Sequence, residues 1–126
     1  MTKSEGYISL SRKAGRIQIG EANAKAAAEK GRAVLLIITN DVSQPTKERA
    51  MRMAERFHLP VCVPPIGKDE LAGICGKCGC MAAFTDAGLA AAYASALALE
   101  DGSFAPLAEL LAERAAKPVK SNKKMV

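Results

Sequence analysis

The chain has 126 residues, of which 49% are hydrophobic and 25% are charged, and its formal net charge is +5. This length suits one domain with a single hydrophobic core, and the composition excludes a generally disordered chain. No apolar run reaches the roughly 20 residues that span a bilayer, and the N-terminal segment lacks the apolar stretch of a secretion signal, so we expect a cytoplasmic protein with reduced thiols.

The first third of the chain predicts a helix, a strand and a second helix. Ser4 is the expected N-cap of the first helix, whose buried face is predicted to contain Tyr7, Leu10 and Ala14. Residues 16–19 alternate like a half-buried strand that ends at Gly20. An Ala-rich helix follows to Lys30, and Gly31 is suited to the position after its C-cap.

The middle of the chain predicts a central strand and a third helix. Residues 33–39 form a continuous apolar run, which is typical of a strand buried on both faces. Asn40 and Asp41 end this run, and Ser43 marks the start of a helix that continues to Phe57. The residues expected to face inward are Ala50, Met53, Ala54 and Phe57, and those left for solvent are Lys47, Arg49, Arg52 and Arg56.

The rest of the chain continues the alternation of helices and strands. Its predicted elements are a short buried strand over 59–64, a helix over 68–75, a loop over 76–79, a strand over 80–85, a helix over 87–99 that Asp86 caps, and a last helix with Leu107, Leu110 and Leu111 on its apolar face. The alternation indicates an α/β protein with a sheet between helical layers. We expect one domain over 1–116 and a disordered basic tail over 117–126.

The charge is distributed unevenly along the chain. Residues 1–32 carry seven Lys/Arg against three Glu, and residues 117–126 carry four Lys and no acidic residue. Residues 67–116 carry three Lys/Arg against seven Asp/Glu. A field oriented in this way steers a polyanion toward one face. The alternative is a solvated basic surface with no partner.

The cysteines raise the question of a metal site. Cys75, Cys78 and Cys80 have a spacing that suits three thiolate ligands of zinc or of an iron–sulfur cluster, with Cys62 or His58 as the fourth ligand. Structural zinc sites, however, usually draw on two separated ligand pairs, and only one cluster is present. The alternative is that three of the cysteines are small buried residues and that Cys78 lies in the loop.

Catalytic and nucleotide-binding motifs are weak in this sequence. The C-x-x-C segment closes a helix and enters a strand, whereas a thioredoxin-like motif opens a helix. One histidine, no G-x-S-x-G segment and no convincing carboxylate pair leave little for acid–base or nucleophilic catalysis. The junction at Gly20 is not a P-loop, although a strand–Gly–helix junction directs backbone N–H groups toward a phosphate. The pattern therefore favours a binding protein with a polyanion site and without a cofactor.

Several segments, taken in order, resemble a known family. They are ISLSRKAGRIQIGEANAKAAAEKGRAVLLIITNDVSQPTKERA, LPVCVPP, KDELAGICGK and AAFTDAGLAAA, from about Tyr7 to Ala92. Together they are similar to the kink-turn RNA-binding ribosomal proteins of the L7Ae and L30e types, and in particular to the bacterial YlxQ-like branch. The resemblance implies a three-layer α-β-α sandwich with a four-stranded mixed sheet. It also implies a non-enzymatic, ribosome-associated monomer that recognises a sharply bent RNA with tandem sheared G·A pairs.

The resemblance also implies which residues contact RNA. The family reads guanine edges and phosphates with the start of the second helix and contacts bulged nucleotides with the loop after the fourth helix. With the basic residues that flank the first strand, the predicted RNA-binding set is Lys13, Arg16, Gly20, Glu21, Asn23, Lys25, Asn40, Asp41, Lys68, Leu71, Gly76, Lys77, Cys78 and Gly79.

The chain departs from the family pattern at the start of the second helix. Where members carry Asn or Lys, then Glu or Gln, then a Lys three residues further on, this chain has Ala22, Asn23 and Ala26. Lys25 lies about 100° around the helix from the expected lysine. Each lost partner costs roughly 1–3 kcal/mol of RNA binding, which predicts weaker binding or a different target. The alternatives are a protein–protein adaptor on the same scaffold and a Cys-liganded metal protein.

Overall fold

A four-stranded mixed sheet lies at the centre of residues 1–116, which are the part of the chain that the computed structural model describes. The strands are β1 (Ile17–Ile19), β2 (Leu35–Ile38), β3 (Val61–Cys62) and β4 (Met81–Phe84), in the order β1-β4-β2-β3. β4 runs antiparallel to both of its neighbours, whereas β2 and β3 are parallel. The tail predicted over 117–126 lies outside the described residues.

Helices cover both faces of this sheet. They are α1 (Lys3–Lys13), α2 (Glu21–Glu29), α3 (Gln44–Phe57), α4 (Lys68–Cys75), α5 (Ala87–Glu100) and α6 (Ala105–Ala116). α1, α4, α5 and α6 pack on one face, and α2 and α3 pack on the other. The predicted three-layer α-β-α sandwich with a four-stranded mixed sheet is therefore confirmed. No helix within the described range is long and apolar enough to cross a membrane.

The strand β2 contributes to the core on both sides of the sheet. Leu35 and Ile37 pack with the layer of α1, α4, α5 and α6, whereas Leu36 and Ile38 pack with α2 and α3. All four side chains are buried, because successive residues of an interior strand point to opposite faces that are both covered by helices. The prediction of a central strand buried on both faces is confirmed.

The prediction for the first helix was wrong in its cap and in its buried face. The hydroxyl of Thr2, not that of Ser4, accepts the hydrogen bond that caps α1, from the backbone N–H of Glu5 at 3.2 Å. Ser4 is buried, and its hydroxyl donates to Glu100 of α5 at 2.8 Å. Leu10 is 49% exposed. Ser4 can be buried because its hydroxyl is hydrogen-bonded to a residue of a distant helix. Local sequence spacing does not reveal such a partner.

Two other segments are less buried than predicted. Residues 59–64 provide only a two-residue edge strand, and Val63 is 41% exposed. The flanking prolines lack the N–H that a longer ladder needs. In α6 the buried residues are Ala108 and Leu111, whereas Leu110 is 38% exposed. Ala108 and Leu111 are three residues apart and therefore share the face of α6 that packs on α5. Leu110 lies about 100° from Leu111 around the helix and so points away from that face.

Candidate nucleic-acid interface

Three predicted site segments meet at one end of the sheet. The N–H of Gly20, after β1, donates to the carbonyl of Met81 at 2.7 Å, and the N–H of Thr39, after β2, donates to the carbonyl of Cys80 at 2.9 Å. The C-terminal ends of β1 and β2 therefore flank the beginning of β4. Antiparallel pairing brings Gly20, the Asn40-Asp41 turn and the loop before β4 to the same end.

The start of α2 presents unpaired backbone N–H groups. Gly20 has φ 101° and ψ 152°, and no side chain caps the helix that follows. The side-chain amide of Asn23 donates to the carbonyl of Ile19 at 2.9 Å, so it links the helix to β1 rather than capping the first turn. The first N–H groups of α2 and the positive end of its dipole are available to an anion such as a phosphate.

Gly79 brings the loop over 76–79 directly against Gly20. A Cβ atom at position 79 would lie 3.2 Å from the backbone nitrogen of Gly20 and 3.1 Å from Cγ2 of Ile19. A side chain at position 79 would require this contact to give by a few tenths of an ångström. Lys77 and Cys78, between this contact and the end of α4, are exposed. The loop therefore offers accessible side chains beside the open start of α2.

The Asn40-Asp41 turn joins this end of the sheet to α4. The backbone N–H of Lys68 donates to both carboxylate oxygens of Asp41, at 3.1 and 3.2 Å. The Thr39 hydroxyl and the Lys68 backbone N–H lower the pKa of Asp41. Asp41 is thus engaged in capping α4, and the exposed side chains of Asn40 and Lys68 remain at the surface.

Glu21 connects α2 to α3 through an ion pair. Nε of Arg49 donates to Oε2 of Glu21 at 2.7 Å, and Nη2 of Arg49 donates to Oε1 at 3.1 Å. The hydrogen bond from Arg49 lowers the pKa of Glu21. Helical periodicity predicts only that Arg49 lies on the exposed face of α3. The pair joins residues that are 28 positions apart, so no local pattern predicts it.

Four of the predicted residues do not join this group. Leu71 is 1% exposed and packs in the core, so its side chain is unavailable to a ligand. Arg16 lies before β1, where its carbonyl accepts a hydrogen bond from the N–H of Thr85, and Lys13 precedes it at the end of α1. Both are at the opposite end of the sheet from Gly20. Lys25 faces a groove between α2 and α3.

The cysteines do not converge. Cys62 and Cys75 are buried, Cys80 is half-buried, and Cys78 is exposed. Among residues 1–116, no three His, Cys, Asp or Glu side chains form a group that can hold a metal ion. Burial raises the pKa of the Cys62 thiol to about 12, which disfavours the thiolate that zinc requires. The geometry gives the metal-binding alternative no support within these residues.

Comparison with known proteins gives a matching family model and similar solved structures. The model of the Ribosomal protein L7Ae/L30e/S12e/Gadd45 family matches residues 2–92. A protein of unknown function from Bacillus halodurans C has a similar structure, with a TM-score of 0.70, 22% identity, and coverage of 77% of this chain and 98% of its own. The Giardia lamblia 15.5kD RNA binding protein gives a TM-score of 0.58 at 20% identity, covering 75% of this chain and 82% of its own.

At these identities the two structures show a shared fold alone. A search among curated proteins gives no match. The family model spans several kinds of protein, so the likeness to the YlxQ-like branch stays a prediction.

Proposed function

The chain belongs to the Ribosomal protein L7Ae/L30e/S12e/Gadd45 family, and from this premise we propose that it binds structured RNA at the end of the sheet where α2 begins. The observation that carries the proposal is the uncapped start of α2 at Gly20, with the loop over 76–79 packed against it. Backbone N–H groups hold phosphates there, and the neighbouring exposed side chains are placed to contact bases.

The RNA that best fits this arrangement is a kink-turn or a similarly bent helix. Proteins read RNA mainly through its shape, its backbone and its unstacked bases. A kink-turn supplies both a widened groove with exposed guanine edges and bulged nucleotides close to it. In our proposal, Asn23 and the first N–H groups of α2 contact the groove with its guanine edges. Lys77 and Cys78 contact the bulged nucleotides. The protein acts by binding, as a ribosome-associated cytoplasmic monomer without a cofactor.

The two alanines at the start of α2 set the expected strength of binding. Ala22 and Ala26 offer neither a charge nor a hydrogen bond at two positions where RNA-binding relatives carry polar residues. The backbone N–H groups and Asn23 must then provide a larger share of the contacts. We expect a weaker affinity for RNA than a site with polar residues at both positions would have. The affinity should be lower by about tenfold or more for each missing polar side chain.

A binding assay with matched RNAs tests the proposed function. One RNA contains a kink-turn, and the control has the same stems joined by a continuous Watson–Crick helix. We expect tighter binding to the kink-turn RNA, with a steep linear fall of log affinity against log salt. Equal affinity for both RNAs would show that the protein binds RNA only non-specifically. If neither RNA binds at low salt, the proposal is wrong and the adaptor alternative takes its place.

Asn23→Ala tests whether the start of α2 is the reading element. The substitution removes the amide that holds Ile19 and offers polar atoms to RNA, so we expect the affinity for the kink-turn RNA to fall by roughly tenfold. Loss of the hydrogen bond to Ile19 should lower the free energy of unfolding by about 1 kcal/mol. Both are measured, by titration and by urea denaturation. If the variant is folded and its affinity for the kink-turn RNA is unchanged, the RNA site lies elsewhere on the protein.

A further inference from the structure

A basic groove of about 410 Å³ runs between α2 and α3, beside the proposed RNA site. Its lining is formed by Glu21, Lys25, Arg49, Arg52, Met53, Arg56 and Phe57. Four of these side chains are cationic and one is a carboxylate, and that carboxylate is already paired with Arg49. The groove therefore has a strong excess of positive charge.

Helical spacing explains how this excess arises. Arg49, Arg52 and Arg56 follow one another at intervals of three and four residues, so they share one face of α3. Glu48 and Glu55 each lie about 100° around the helix from Arg49 and Arg56, respectively, although both are three or four residues from Arg52. The groove lining contains all three arginines and neither of these glutamates.

Apolar side chains form the floor of the groove, and one of them contacts Arg56. Met53 is buried and Phe57 is half-buried, and both belong to the core under α3. The guanidinium of Arg56 lies 5.1 Å from the centre of the Phe57 ring, a stacking contact that limits its mobility. Among the groove cations, only Arg49 forms an ion pair within residues 1–116. Arg52, Arg56 and Lys25 keep their charges available for a ligand.

We infer that this groove holds the phosphodiester backbone of an RNA helix that flanks the bent segment bound at the start of α2. The inference rests on the proposed function and extends the RNA contact beyond it. Glu21 lies both in the first turn of α2 and in the groove lining, so the two surfaces are continuous. An arginine fork matches two oxygens of one phosphate, as the contact between Arg49 and the Glu21 carboxylate already illustrates.

The dimensions and the chemistry favour RNA over an acidic protein. Arg52 and Arg56 are four residues apart, about 6 Å along the helix axis, a span of one or two nucleotides in a nucleic-acid strand. A protein interface of stable size requires an apolar centre that becomes buried on association. Here Met53 is buried and Phe57 is half-buried and stacked by Arg56, whereas four of the seven lining side chains are cationic.

The test uses two kink-turn RNAs that differ only in the length of their stems. The short RNA ends close to the bend and contacts only the start of α2, whereas the long RNA extends both stems by a full helical turn. For the unmodified protein we expect the long RNA to bind more tightly and with a steeper dependence on salt. The variant Arg52→Gln/Arg56→Gln should lose about tenfold in affinity for the long RNA, and its log–log salt slope should fall by about two. Its affinity for the short RNA should stay unchanged.

A control variant removes the same charge from the opposite helix layer. Lys3 in α1 and Arg114 in α6 are exposed and do not line the groove. Lys3→Gln/Arg114→Gln should bind both RNAs like the unmodified protein, and circular dichroism checks that all variants are folded.

Four results would overturn the inference. They are unchanged binding of the long RNA by the groove variant, an equal loss in the control variant, equal affinity of the unmodified protein for the two RNAs, and a groove variant that keeps its RNA binding but no longer binds a poly-glutamate peptide. The last result would assign the groove to an acidic protein. Binding of the short RNA by the unmodified protein in these cases would leave the proposed function intact, whereas no binding of either RNA would overturn both.

Discussion

Two glycines determine the local geometry of the candidate site. Gly20 combines φ 101° with an extended ψ of 152°, a region of backbone conformation that is essentially restricted to glycine. Gly79 has ordinary backbone angles, but its missing side chain lets the loop approach the backbone of Gly20. One glycine sets the turn from β1 into α2, and the other keeps the loop in contact with that turn. The site is therefore formed by backbone at its centre and by side chains at its rim.

Gly20→Ala tests the backbone requirement at this turn. A Cβ atom strains the left-handed conformation, so we expect the free energy of unfolding to fall by about 1–3 kcal/mol and the affinity for RNA to fall with it. Gly73→Ala is the matched control, because Gly73 lies in α4, where an added Cβ atom would meet no neighbour within 4 Å. That change should raise the free energy of unfolding by roughly 0.5–1 kcal/mol. Urea denaturation of both variants decides the point, and equal stability of Gly20→Ala and the unmodified protein would contradict it.

At the scale of elements, the helix starts differ in how they are capped. Side chains of Thr2, Ser43 and Asp86 cap α1, α3 and α5, and the last two caps were predicted from the sequence. Asp41 closes the start of α4 from another part of the chain. α2 begins at Gly20 without such a partner. Since α2 and α4 start at the same end of the sheet, the capping pattern leaves the start of α2 open to an anion and closes the start of α4.

The Asp41 cap predicts a dependence of stability on pH. The pKa of Asp41 is lower in the folded state than its ordinary value of about 3.9. The cap therefore stabilises the protein fully above that ordinary value, and the stabilisation is lost as the pH falls through the lowered folded-state pKa. Asp41→Ala should be less stable than the unmodified protein at pH 7, and the difference should shrink at pH 3.

Urea denaturation at both pH values measures this effect. Asp41→Asn is the control, because its side-chain oxygen still accepts a hydrogen bond from Lys68 but does not titrate. Its difference from Asp41→Ala should be the same at both pH values. If Asp41→Ala differs from the unmodified protein equally at pH 3 and pH 7, the carboxylate does not provide the cap.

At the scale of the molecule, the fold places the acidic part of the sequence and the cationic groove on opposite faces of the sheet. Residues 67–116, with three Lys/Arg against seven Asp/Glu, supply α4, α5 and α6, which lie together on one face of the sheet. The arginine face of α3 and the open start of α2 belong to the other side. α1, which carries Lys3, Arg12 and Lys13 against Glu5, packs with the acidic helices and offsets part of their charge, so a polyanion is attracted to the α2–α3 groove in particular.

Removal of residues 117–126 tests the contribution of the four lysines there, which lie outside the described residues. These lysines add charge without a defined position in our proposal. We therefore expect a modest loss of affinity, equal for the kink-turn RNA and its continuous-helix control, and a shallower salt dependence. Titrations at two salt concentrations measure it. Loss of the preference for the kink-turn RNA in the truncated protein would show that the segment contributes to recognition.

The sequence by itself determined most elements and the class of the fold, because strand burial, helix caps and glycine positions leave local signals. It also marked Gly20, Asn23 and the loop over 76–79 through a resemblance carried by the order of many segments. Only the tertiary structure decided which faces are buried and which site residues meet. Ser4 is buried through Glu100, Leu71 is enclosed by the core, and Arg49 pairs with Glu21. Each of these contacts joins residues distant in the chain, and their energies depend on neighbours that no local pattern specifies.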